Sequence, residues 1–513
     1  MKLKNIIIVG GGSAGFMTAA TLLNQLPNSK ITLIESPHVK TVGVGESTIT
    51  GIKHWTKLLG IDDKDFLKAT DGTYKLSIKF TDFYKKGEAF HYPFGVPDLN
   101  GSMAGLNDWW FKKFSNPSTK NSDYAESYFA SMSLVKNNKL FYNKERVMPF
   151  NFDYDTAYHF DASKFAIWLR DKYCKKRKLK HIKEDIKTIE TDKNGIKSLN
   201  KKYKADLFID CTGFKSLLLD KTLKEPFESY EDLLPNNSAV AARIPYTNKE
   251  KQLVPYTNCT AIENGWVWNI PLWSRMGTGY VYSDNYISDD KAVEQFEKHL
   301  GLKNLEYNKI KMRVGIHKRL WVKNVVAIGL SAGFIEPLES NGLYTVHTFL
   351  MKFLRNVQRE KISQWDKDNF TYQCKFEFKT FAEFVAMHYA LSHRDDTKYW
   401  KDLLNKNWSS KLNSLENNSH VYGVTESVFR RHQDYYFDKI GGLHCIAAGM
   451  NWGPTDLPSV LYHNQQSYEK FKKQWKDASE NLRKRKKYWD IVCRKLPSYI
   501  DFLQHEIYQN KIK

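Results

Sequence analysis

The run Gly10-Gly-Gly-Ser-Ala-Gly15 constrains this chain more than any other feature, because of what flanks it. Asn5-Ile-Ile-Ile-Val9 before it is short, unbroken and β-branched, the pattern of a strand covered on both faces. Residues 16–26 follow with helical spacing, and 31–34 make a second strand that ends at Glu35. In such a βαβ unit each glycine has its own task. Gly10 makes the tight turn, Gly12 lets a pyrophosphate approach the backbone, and Gly15 lets the helix pack on the strand. Ser13 and Ala14 complete the turn, which presents a helix N-terminus to phosphate charge. Glu35 is placed to accept hydrogen bonds from a ribose. A lone glycine triplet would say little. With both strands, the helix and the acid, it predicts a Rossmann-like dinucleotide site.

Two further strand-then-glycine segments, 205–213 and 324–329, extend one nucleotide fold late into the chain; they contain Asp210-Cys-Thr-Gly213 and Gly329. Strand-rich stretches at 238–244 and 265–281 lie between them. After Tyr344 the spacing turns helical, over 345–359, 366–387, 398–404 and 468–488. The expected class is therefore α/β with α+β elements. Residues 1–343 should form the nucleotide-binding part with an inserted sheet, and 344–513 a helical region packed on it. A chain of 513 residues can bury a large core, so this size is reasonable.

The net charge of +21 comes from lysines dispersed along the chain, with one cluster at Arg483-Lys-Arg-Lys-Lys487. That cluster lies in a helix-like stretch and reads as a solvated face; no nucleic-acid motif accompanies it. The cysteines are scattered, with no C-x-x-C pair or metal-ligand spacing, so reduced thiols in the cytoplasm and no metal are expected. The first residues hold too short an apolar run for a signal peptide, and no segment reaches membrane-spanning length, so no membrane partner is expected.

Trp266-Val267-Trp268-Asn269-Ile270-Pro271 is the second informative run. Tryptophans two apart on an extended segment share one face and form a rigid wall, and Pro271 ends the pairing. By itself this is as well explained as an aromatic pair in a core. Its company decides otherwise. Gly43-Val-Gly-Glu-Ser-Thr48, Tyr74-Lys75, Tyr158-His-Phe-Asp161, Asp210-Cys-Thr-Gly213, Glu336-Pro-Leu-Glu-Ser340 and Arg394-Asp-Asp-Thr397 occur in one order along most of the chain. In that order the chain resembles the flavin-dependent halogenases of the tryptophan-halogenase type, whose fold is that of the FAD-dependent aromatic hydroxylases, with a sheet over the isoalloxazine.

The resemblance implies FAD, delivered as FADH2, with O2 and a halide (chloride, bromide or iodide) as co-reactants. Gly43, Val44, Gly45 and Glu46 would join the glycine fingerprint, Asp210, Gly213 and Gly329 around the cofactor. Hypohalous acid formed at a flavin–oxygen adduct would pass along a tunnel whose flavin wall is Trp266, Trp268, Ile270 and Pro271. Lys75 matches the lysine that holds that acid or is halogenated by it; Lys79, four residues on, is the decoy. A protonated ammonium is no nucleophile, so Lys75 is desolvated if it forms a haloamine and charged if it only donates a hydrogen bond. Glu339 matches the carboxylate that stabilises the cationic ring and accepts its proton. Glu336 is its near neighbour in sequence. Ser340 is expected between lysine and flavin, and the amides of Asn341 and Gly342 would form the halide pocket.

Two departures matter. The family's common pattern has Thr-Gly after the serine, where this chain has Asn341-Gly342, so pocket size is open and bromide is expected to serve at least as readily as chloride. Tryptophan-specific relatives also carry a Phe-Trp pair that the region 432–444 lacks. His91 and Phe94 match aromatic wall positions, which points to an indole- or phenol-like arene more than to free tryptophan. No second glycine fingerprint is visible, so a separate flavin reductase should supply FADH2. Monomer and homo-oligomer stay open. The competing class is an FAD-dependent aromatic hydroxylase, whose substrate must touch the flavin that the tryptophan wall screens.

Overall fold

The computed structural model describes residues 3–39, 45–97, 106–358, 361–408, 437–452 and 468–509. Strand β1 (Asn5–Val9), helix α1 (Ser13–Gln25) and strand β2 (Lys30–Glu35) open the chain. Strands β3 (Thr73–Lys75), β4 (Ser77–Thr81) and β5 (Ala89–Pro93) follow, then β6 (Leu207–Asp210), β7 (Tyr256–Ile262), β8 (Gly265–Pro271) and β9 (Met276–Tyr282). The later helices are α2 (Gly342–Val357), α3 (Gln364–Ala390), α4 (Phe437–Gly449) and α5 (Tyr468–Arg494).

The first sheet has the order Trp321–Val322, Val325–Ala327, β6, β1, β2, Lys180–Lys183. Its pairings are parallel except for the hairpin at the Trp321 edge. β1 lies in the middle, which is why Ile6, Ile7, Ile8 and Val9 are all buried; each such side chain contributes about 1.5–3 kcal/mol by leaving water. Gly10 leaves this strand at φ +115°, where a Cβ would stand 2.1 Å from the Cys211 carbonyl oxygen. A Cβ on Gly15 would stand 1.9 Å from the Gly10 carbonyl oxygen, so turn and helix interlock only through glycine. The expected Rossmann-like α/β fold is what forms.

A second sheet of seven strands has the order Asn308–Lys311, Ser238–Ile244, β9, β8, β7, β4, β5. The stretch 265–281, read as strand-rich, is the β8–β9 hairpin. Here the tryptophan pair finds its room, since Trp268 lies opposite Gly279. A Cβ on Gly279 would meet the indole at 2.2 Å. Pro271 is the last residue of β8 and still faces Met276 in register before the strand stops.

A small third sheet joins Glu46–Ser47, Ala157–Phe160 and β3. Its register sets Ser47 and Thr73 beside His159, and Lys75 beside Ala157. Three distant motifs meet there. Helix α3 runs on from its capping box at Ser363 and Asp366. The Arg394 motif clasps the β7–β8 turn: Arg394 donates to the Ala261 carbonyl at 2.9 Å and to both Asp396 oxygens, and Thr397 donates to the Glu263 carbonyl. In α5 the basic run is a helix face, with Arg483 on Glu480 and Lys486 on Glu126. No described helix is long and apolar enough to cross a membrane.

Candidate active site

Lys75 is completely buried, and its Nζ donates to Ser340 Oγ (2.7 Å), Ser47 Oγ (2.9 Å) and the Thr48 carbonyl (3.1 Å). Phe94 lies 5.0 Å beneath the Nζ. Burial pushes this ammonium down to about 7, while the Glu339 carboxylate opposes the shift. Lys79, on β4, is only half-buried, beside Asn258 and His91 in the register. The geometry therefore distinguishes the two lysines.

The hydroxyls around Lys75 are themselves ordered. Thr73 donates to the Pro271 carbonyl at 2.8 Å, so toward His159 Nδ1, at 3.3 Å, it presents an acceptor. His159 therefore carries its proton on Nδ1, and burial keeps the ring neutral. Its Nε2 accepts from Thr257 at 2.8 Å, and Thr257 in turn accepts from Ser47 at 2.6 Å. Ser47 has spent its hydrogen on Thr257 and offers Lys75 only lone pairs. Protonated Lys75 uses all its hydrogens on Ser47, Thr48 and Ser340. Neutral Lys75 must instead receive the Ser340 hydroxyl. The Ser340 hydroxyl thus reports the lysine's charge.

Ser340 has φ +59°, a left-handed turn ahead of α2. Asn341 (φ −89°, ψ 0°) is the N-cap residue of α2 and makes no side-chain cap, so no side chain of the cap occupies the first amides of the helix. The carboxyl of Glu46 reaches this point, with Oε2 3.4 Å from where a Gly342 Cβ would be. Desolvation pushes Glu46 up to about 7.

Glu339 is buried, and its Oε1 lies 3.0 Å from Nε2 of His388. Burial raises its pKa, with His388 and Lys75 opposing. Glu336, the near neighbour, points elsewhere. Its Oε2 accepts from Trp266 Nε1 (2.9 Å), Asn236 (2.8 Å) and the Tyr389 hydroxyl (2.8 Å). It fastens the tryptophan wall. The indole centroids of Trp266 and Trp268 are 6.1 Å apart, tilted by 59°, and Ile270 touches the Gly45 turn. His91 donates to or accepts from Ser77 at 3.0 Å and stands edge-on to Tyr256.

The cofactor residues fit a dinucleotide. α1 begins at Gly12 with no side-chain cap, and nothing lies within 4 Å of where a Gly12 Cβ would be. That leaves uncapped amides and open space where a pyrophosphate needs both. Ala14 packs against Gly329. Ser13 Oγ is 3.4 Å from the Ala162 carbonyl. Glu35 accepts from His181 at 2.8 Å at the end of β2. Both Asp210 oxygens are engaged by Thr212, Leu218 and Leu219, so this acid shapes the Gly213 loop from behind. Gly43 and Val44 lie outside the described residues, as do 432–436 of the stretch 432–444.

Sequence reading did not single out Ser47, Thr257, His159 or His388 as functional. Ser47 and His159 lay inside noted motifs. Thr257 and His388 had no local signal, because only strand register and the course of α3 bring them here. Among the described residues no cluster of His, Cys, Asp and Glu is placed to hold a metal.

Comparison with known proteins agrees with this geometry. The tryptophan halogenase family profile matches residues 5–463. The tryptophan 6-halogenase ThaL of Streptomyces albogriseolus is 31% identical over 540 residues, covering 98% of each chain. Among solved structures, the apo structure of VirX1 superposes with a TM-score of 0.86 at 36% identity, covering 99% of each chain. The tryptophan 6-halogenase SttH from Streptomyces toxytricini gives 0.83 at 31%, covering 98% of this chain and 99% of that one. With a flavin-type fold, a sequestered lysine and these likenesses in agreement, the chain belongs to the tryptophan-halogenase family of flavin-dependent halogenases.

Proposed function

We propose that the protein halogenates an electron-rich arene, indole- or phenol-like, with hypohalous acid delivered to Lys75. Bound FADH2 with O2 supplies the oxidising equivalents that turn halide into that acid. The protein's own residues do the rest. The nest of Asn341 and Gly342 holds halide. Trp266 and Trp268, with Ile270 and Pro271, bar organic molecules from the flavin side and leave passage for a small carrier. Lys75 receives that carrier, Ser340 adjusts to the lysine's charge, and Glu339 takes the ring proton. His91 and Phe94 line the arene's side. A separate reductase supplies the reduced cofactor.

The observation that carries this reading is Lys75, completely buried with its Nζ on Ser47, Thr48 and Ser340, where burial pushes the ammonium down and an equally buried Glu339 opposes the shift. The test is incubation with a flavin reductase, FAD, each halide in turn and a panel of indoles and phenols, followed by mass spectrometry. Halide-dependent mass shifts on an arene are expected, with bromide at least equal to chloride. Hydroxylated product without halide would refute the proposal. Lys75→Ala should abolish ring halogenation while flavin reoxidation continues.

A further inference from the structure

The contact between His388 and Glu339 leaves a proton to be placed. His388 Nδ1 lies 3.1 Å from the Val385 carbonyl, one turn earlier in α3, and a carbonyl only accepts, so Nδ1 carries hydrogen. Nε2 then faces Glu339 Oε1 at 3.0 Å. The ring N–H is not aligned on that oxygen for a hydrogen bond, but at this ion-pair distance two bare lone pairs would repel, so the pair holds one proton. It belongs to an imidazolium beside a carboxylate, or to a carboxylic acid beside a neutral ring.

The surroundings favour the ion pair. His388 sits among Phe80 (4.5 Å between centroids), Phe83 (6.0 Å) and Phe384 (6.0 Å), whose rings suit a cation. A second carboxyl, Glu336, is close enough to interact with it, and Lys75 is the other charged group in Coulomb reach of Glu339. The Cys259 and Cys445 thiols face Glu339 from β7 and α4 and are kept protonated by burial. Among the described residues no donor is aligned for a hydrogen bond to either buried Glu339 oxygen; Oε1 has His388 at ion-pair distance, and Oε2 has no such neighbour. A buried carboxyl without a cation would be neutral and could not take up the ring proton.

We infer that His388 is a positioning residue for halogenation: as an imidazolium on Oε1 it keeps Glu339 ionised, so that Oε2 is the base for the ring proton. The inference rests on the reading of Glu339 as that base. Once the carbon–halogen bond has formed, the C–H bond of the cationic ring breaks and its electron pair returns to the ring. The proton goes to a lone pair of Oε2. The pair then stands as a neutral acid beside an imidazolium, one positive charge more than before. That charge lies beside the aromatic cage and is released when product leaves.

Two measurements test this. With 15N-labelled histidine, the His388 resonances, assigned by their loss in His388→Gln, should show both nitrogens protonated in the wild-type holoenzyme. In Glu339→Gln the ring should become neutral. A neutral His388 in the wild type overturns the inference without reference to activity. In turnover, His388→Gln and His388→Phe should each slow ring halogenation about 100-fold. A primary isotope effect should appear on an arene deuterated at the reacting carbon, with the arene KM unchanged and hypohalous acid still formed. Wild-type turnover in Glu339→Gln would instead refute the underlying reading of Glu339. An inactive Glu339→Gln beside fully active His388 variants would refute His388 alone.

Discussion

Replacing Lys75 by methionine separates the cost of the site from its use. The lysine is fully buried and its folded pKa is about 7, against 10.5 for the ordinary side chain. The unfolded chain therefore binds more protons between those values, and the folded protein gains stability as pH rises through that window. The penalty is complete below the folded value and absent above the unfolded one. Its size is roughly 4–5 kcal/mol near pH 6 and roughly 3 kcal/mol near pH 8.5. Methionine has nearly the same shape and no charge, but it forfeits three hydrogen bonds, to Ser47, Thr48 and Ser340, worth about 1 kcal/mol each. Lys75→Met should then be more stable than wild type by about 1–2 kcal/mol near pH 6, about equal near pH 8.5, and less stable above that. Urea melts of both proteins across that range read the difference, since titrating groups away from Lys75 cancel and Glu339, whose own shift Lys75 opposes, is replaced by glutamine in a parallel pair. An offset that stays constant with pH would refute the buried, near-neutral amine. The variant should make no halogenated arene at any pH.

Three other outcomes follow from the geometry. Gly15→Ala places a methyl 1.9 Å from the Gly10 carbonyl oxygen and should weaken FAD binding at least about tenfold in a fluorescence titration. Gly279→Ala drives a methyl into the Trp268 indole at 2.2 Å; it should cost about 1–3 kcal/mol in a thermal melt and yield less halogenated product per O2 consumed. Glu46, pushed up to about 7 beside Gly342, is increasingly anionic above that pH and repels halide. Bromide affinity, followed by 81Br line width, should therefore fall as pH rises through that value, and Glu46→Gln should flatten the dependence.

Much of this site was legible from sequence because its pieces are local. The glycine turn, its strands and its helix are contiguous, and interlocking of Gly10 with Gly15 is a short-range demand of a βαβ unit. The tryptophan spacing fixes a shared face for the same reason. What could not be read depends on register and packing. Glu336 and Glu339 sit three apart in one segment, and nothing local says that one ties down an indole and the other meets a histidine. Thr257 links Ser47 to His159 only because β7 runs alongside β4 and under the small sheet. Asp210 shows the converse: its motif suggested cofactor contact, whereas its oxygens are taken up by the backbone that shapes the loop. Gly279 carried no signal at all until β9 was seen to lie under Trp268.

His388 and Tyr389 are consecutive residues of α3, and they hold Glu339 and Glu336 respectively. In the proposed mechanism the tryptophan screen and the ring-proton base are thus both fastened by one rod, at successive residues. Sliding or twisting that rod to widen the chamber for a larger guest would loosen both at once. Efforts to change which ring is modified belong on β5 and α4, where Tyr92 and Phe90 meet Gly442 and Gly449, leaving the rod in place.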